Sequence, residues 1–130
     1  MTPLSCGIVL APRRLVAVVL GPNGGARRAV ATALTDDARF GLVSYLAAAG
    51  VEIVVTDAFV RADPVARRAV NAGLVVWVVP EALVAAIVRA TAITDPARTA
   101  AILARIPRIP FLRAQLRRLH GPEPVQAALL

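Results

Sequence analysis

The stretch VEIVVTDAFVRADPVARRAVNAGLVVWVV, residues 51–79, decides the fold. Val51 to Thr56 and Leu74 to Val79 are short runs rich in β-branched residues, of the kind that suits strands covered on both faces. Between them, Asp63-Pro64 offers a helix N-cap followed by proline at the first helical position, and Asn71-Ala72-Gly73 offers a stop. Strand, helix, strand in that order predicts a parallel pair joined by a crossover. Asp57, directly after the first of these strands, falls where open α/β sheets place their sites.

Upstream, Cys6 to Leu10 and Leu15 to Leu20 are apolar runs joined by Ala11-Pro12-Arg13-Arg14, and the second ends in Gly21-Pro22-Asn23-Gly24-Gly25. These spacings predict a hairpin with a further turn, and Ala26 to Leu34 a third antiparallel strand. The glycines have neither the G-x-G-x-x-G spacing nor a Gly-Lys-Ser/Thr, so they read as a turn rather than a phosphate loop. Thr35-Asp36-Asp37 provides capping side chains for a helix over 37–49, with Phe40, Val43 and Leu46 at helical spacing and Gly50 as a left-handed stop. Downstream, Pro80-Glu81 opens a helix to about Ala92 and Asp95-Pro96 another to about Arg105. Pro107 and Pro110 break the chain before a helix predicted over Phe111 to His120, and the last ten residues are expected to fray. The expected fold is α/β: a three-stranded antiparallel meander, then two parallel strands, with flanking helices. Residues 1–106 are expected to form its core, and 107–130 a basic C-terminal helix and tail of the same domain.

The chain has 130 residues, 58% hydrophobic and 18% charged, which fits one domain and excludes a disordered polypeptide. Charges interrupt every apolar stretch before the roughly 18 residues a spanning helix needs, and the start lacks the pattern of a signal peptide. No membrane association and a cytoplasmic location are the expectations. Cys6 is the one cysteine and His120 the one histidine, so an internal disulfide and a zinc site are excluded and Cys6 has no identifiable histidine partner for a nucleophilic dyad. Ser5 and Ser44 sit in no nucleophile elbow.

Net charge is +7, and all fifteen basic residues are arginine, which points to polyanionic partners, DNA or RNA first. Arg89, Arg98, Arg105, Arg108, Arg113, Arg117 and Arg118 face the single acid Asp95 across thirty residues, making this segment the candidate nucleic-acid surface. On the predicted helix at 111–119, Leu112, Leu116 and Leu119 share one face and the arginines the other. Three readings stay open for it: a solvated face on a packed helix, a homodimerisation helix with an arginine rim, or a phosphate-contacting surface. Few aromatics disfavour recognition of single strands by base stacking.

Gly7-Ile8-Val9-Leu10-Ala11 with Leu15 to Leu20, then Val54-Val55-Thr56-Asp57-Ala58, Leu74 to Pro80, and Thr94-Asp95-Pro96 with Ala101-Ile102-Leu103-Ala104-Arg105 together resemble the RuvC-like N-terminal domain of DEDD-type insertion-sequence transposases. The element order is likewise that of the ribonuclease H-like fold. This resemblance, over residues 6–106, implies a domain that cuts DNA with four carboxylates and divalent metal, Mg²⁺ or Mn²⁺. The physical need is for oxygen ligands that hold two hard cations about 4 Å apart. The first acid of that pattern falls on Val9, the second on Asp57, the third on Asp95 and the fourth on Arg98 or its neighbours, where no acid stands. Asp57 and Asp95 are therefore the candidate catalytic and metal-ligating residues. Each also has a plain reading as a helix cap, as do Asp63 before Pro64 and, in a first helical turn, Glu81.

With two of four acids missing, the expectation is a weak or inactive nuclease: a transposase remnant or a domain repurposed for nucleic-acid binding, needing no cofactor. Since the sequence stops at residue 130, the rest of a transposase is expected to be absent. The rivals are a self-associating assembly module and an active metal-dependent nuclease built on Asp57 and Asp95.

Overall fold

The meander forms as its punctuation predicts. In the computed structural model, whose described residues are 3–92 and 95–119, Leu4–Ala11 (β1) turns through Pro12-Arg13 into Arg14–Leu20 (β2), which pairs with it antiparallel from Ser5↔Leu20 to Ala11↔Arg14. The glycine turn returns the chain to Ala26–Ala33 (β3), with Gly24 at φ +85°, a conformation glycine adopts without steric cost. Thr35 caps helix α1, Asp36–Ala48, by accepting from the Ala38 N–H at 3.2 Å, and Gly50 at φ +85° ends it.

The decisive stretch gives Val51–Thr56 (β4) and Val75–Val78 (β5), parallel to one another, with β4 also parallel to β1. Between them stand two helices where one was expected: Ala58–Ala62 (α2) and Pro64–Asn71 (α3). Asp63 ends the first and caps the second, accepting from the Val65 N–H at 2.9 Å. It also takes a two-pronged hydrogen bond from Arg39 of α1, at 2.8 and 3.0 Å, which ties the two helical segments together. Helices Glu81–Thr91 (α4) and Pro96–Arg105 (α5) follow at their expected positions.

The C-terminal helix expected over 111–120 is corrected by the structure. After a 3₁₀ turn at Ile106–Arg108, only Pro110–Arg113 is helical (α6), and Arg117–Leu119 forms strand β6, antiparallel to β5. The three leucines explain why. Leu112 and Leu116 pack on one face of the sheet and Leu119 on the other, a division that a single helix cannot make. The open edge of β5 supplies the competing partner, since Val76 to Val78 have backbone groups that a neighbouring strand satisfies. The apolar face on which homodimerisation through that helix depended is thus used inside the domain. His120 lies outside the described residues.

The result is one six-stranded sheet, in the order β3-β2-β1-β4-β5-β6, with helices on both sides. Cys6, Ile8, Leu15, Val54 and Val76 face α1, α2 and α3, while Val9, Val16, Val18, Leu20 and Val55 face α4 and α5. Helix α5 lies directly on β1: a Cβ on Gly7 would come within 1.8 Å of the Ala100 carbonyl oxygen, so only glycine permits this approach. No helix among the described residues is long and apolar enough to cross a membrane.

Candidate nucleic-acid interface

The four positions of the metal-ligating pattern are brought toward one end of the sheet, but their chemistry does not assemble there. Val9 pairs with Val16 on β2, and the β1–β4 register, which ends at Ile8↔Thr56, continues one step to Val9 beside Asp57. Asp95 lines a recess with Arg14, Val16 and Ala31, on the same face of the sheet as Val9. Val9 is 5% exposed within an apolar cluster containing Val16, Val18 and Val55. Arg98 is exposed on the first turn of α5.

Asp57 caps α2, accepting from the Val60 N–H at 2.8 Å. Asp95 caps α5, accepting from the Ala97 N–H at 3.1 Å. Asp57 shares its recess with Phe59 and Glu81, and the recess around Asp95 is a separate one. Among the described residues no three histidine, cysteine, aspartate or glutamate side chains gather as a group able to hold a metal ion. An apolar side chain at the first position and a cation at the fourth do not fit a pair of divalent ions. Cys6 is fully buried, and burial pushes its thiol up to about 12, which removes it as a nucleophile near neutral pH.

The seven arginines of the basic segment do not form one surface. Arg105 donates to the Gly24 carbonyl at 3.4 Å. Arg108 donates to the Gly21 carbonyl at 2.7 Å and, through its other terminal nitrogen, to Ser5 Oγ at 3.2 Å and the Pro3 carbonyl at 3.5 Å. Arg89 is exposed on the last turn of α4, and Arg113 stands beside Arg108 at the amino ends of β1 and β4. Arg117 and Arg118 lie on β6, opposite Val78 and Trp77, at the carboxyl end of β5.

There the structure adds two residues the sequence did not single out. A cleft of about 390 Å³ is lined by Arg61 of α2 together with Arg117 and Arg118, with Glu81 as the acid on its wall. Ala58 and Glu81 also line the recess of Asp57 and Phe59, so the two concavities adjoin. Phe59 is 65% exposed. Among the described residues, ion pairs involve Arg39 and Arg68 with Asp36 and Asp63, and none involves Arg61, Arg117 or Arg118. Arg61 was hidden because α2 was not foreseen. Phe59, two residues after the Asp57 cap, gave no sequence signal, because its exposure follows from how α2 packs.

No family model matches the chain, and no curated protein matches it either. Solved structures do. Thermus thermophilus RuvC in complex with a Holliday junction substrate superposes with a TM-score of 0.63 at 14% identity, over 91% of this chain and 100% of that one. A second Thermus thermophilus RuvC structure gives 0.61 at 13% identity, over 89% and 99%. At such identity the likeness is one of fold, and it agrees with the mixed sheet and its strand order. The chain has the RuvC-like, ribonuclease H-like fold that its meander and parallel strands implied.

Proposed function

We propose that this domain binds duplex or branched nucleic acid across the carboxyl end of its central strands and has lost the ability to cut it. The observation that carries this reading is the arginine-lined cleft of Arg61, Arg117 and Arg118 beside exposed Phe59, at the end of the sheet toward which the resemblance assigns its metal ligands, with Val9 and Arg98 at two of those positions. Unpaired guanidinium groups contact phosphates independently of sequence. An exposed aromatic ring gives a splayed base a surface to stack on. The solved RuvC structure that holds a Holliday junction makes a four-way junction the natural first substrate.

Fluorescence anisotropy with labelled duplex, four-way junction and single-stranded DNA, across a salt series with and without Mn²⁺, tests this. Salt-sensitive binding of intact DNA in both conditions is the expected result. Cleavage that requires Mn²⁺ and disappears in Asp57→Ala would establish the active nuclease instead. No binding at low salt would leave the self-associating module.

A further inference from the structure

At the opposite, amino end of β1 and β4 lies a half-open cavity of about 570 Å³, the size of a small-molecule site and well separated along the strands from the arginine cleft. Its walls are apolar: Pro3, Pro107, Pro110 and Ile53. Its polar groups are few, namely Ser5 Oγ, Arg108 and Arg113, and among the described residues no acid lines it. Arg108 is half-buried, and its partners are neutral: two backbone carbonyls and the Ser5 hydroxyl, which itself donates to the Ala104 carbonyl at 2.8 Å. Its Nε is buried with no hydrogen-bond partner. Among the described residues neither Arg108 nor Arg113 has an ion-pair partner. Two cations therefore border a largely apolar cavity without a counter-ion among the described residues, and Arg108 is held rigid before any ligand arrives.

We propose that this cavity binds a phosphomonoester carried on a flat apolar body, as in a 5′-mononucleotide. A phosphomonoester carries roughly −1.5 to −2 charge at neutral pH, which matches two guanidinium groups, whereas a carboxylate would leave one unbalanced. Proline and isoleucine walls give a planar ring an apolar surface to lie against. The ligand's source is either a free nucleotide or the 5′-phosphorylated end of a strand. This site is independent of the arginine cleft, so it stands or falls apart from the function proposed above.

The test is calorimetric titration of the full chain with AMP and with adenosine, alongside oligonucleotides bearing a 5′-phosphate or a 5′-hydroxyl. AMP is expected to bind at least about tenfold more tightly than adenosine. Arg113→Gln removes an exposed side chain outside the packed core and is expected to abolish that preference, and Arg113→Glu to weaken AMP further. A 5′-phosphate gain confined to AMP identifies a free nucleotide, and an equal gain on the oligonucleotide identifies a strand end. Equal affinity for AMP and adenosine, or AMP binding unaltered in both Arg113 variants, overturns the proposal.

Discussion

The two ends of strands β1 and β4 treat the same residue types in opposite ways. At the amino end, Arg108 is woven into the fold, bonded to the Gly21 and Pro3 carbonyls and to Ser5. At the carboxyl end, Arg61, Arg117 and Arg118 line an open cleft without ion-pair partners among the described residues. Asp57 and Asp95, the acids expected to hold metal, both act as helix caps. Position in the topology marks where chemistry is located, while the hydrogen-bond partners decide what a side chain does there. In this chain the carboxyl end of the sheet carries an arginine-lined cleft, and among the described residues no group of acids gathers there to hold a metal ion.

The most severe test of that contrast is to place an acid at the first position of the expected ligand pattern. Val9→Asp places a carboxylate among Val16, Val18 and Val55, and chemical denaturation should report a loss on the order of 4 kcal/mol, with no recovery on adding Mn²⁺. A variant stabilised by Mn²⁺ would mean that the end remains ready for metal. At the amino end, Arg108→Ala removes bonds to three acceptors and should cost about 3 kcal/mol while leaving the salt dependence of DNA binding unaltered.

Cys6, on β1 toward its amino end, gives a pH signature. Its native thiol is raised from 9.0 to about 12, chiefly by burial, so between those values the native state holds a proton that the unfolded chain has released. Stability therefore falls as pH rises through this window, and by pH 10 the decline should reach about 1 kcal/mol. Cys6→Ala should lack that component in denaturation curves collected from pH 8 to 11. The smallest effect is at Asp57. Asp57→Ala should lower stability by roughly 0.5–1 kcal/mol, the cost of a lost cap, and leave DNA affinity the same with or without Mn²⁺.

Much of the fold was legible because its signals were local. Asp63-Pro64, Asp95-Pro96 and Gly50 mark helix boundaries by side-chain and backbone chemistry that acts within a few residues. Residues 51–79 gave the parallel pair for the same reason. What escaped depended on distant partners. Leu112, Leu116 and Leu119 fit a helical face until the edge of β5 offers Arg117–Leu119 a strand to pair with. The basic segment read as one surface, since nothing local distinguishes Arg108, bonded to residues about a hundred positions away, from Arg117, left open. Arg61 belongs to the cleft only because β6 folds back beside α2.

The central claim rests on the carboxyl-end arginines, and the slope of log affinity for a four-way junction against log salt tests it directly. The wild-type chain should show a steep slope, and the combined variant Arg61→Gln, Arg117→Gln, Arg118→Gln should bind at least about tenfold more weakly, with a slope shallower by about three units. An unchanged slope and affinity in that variant, with its fold intact, would contradict the account.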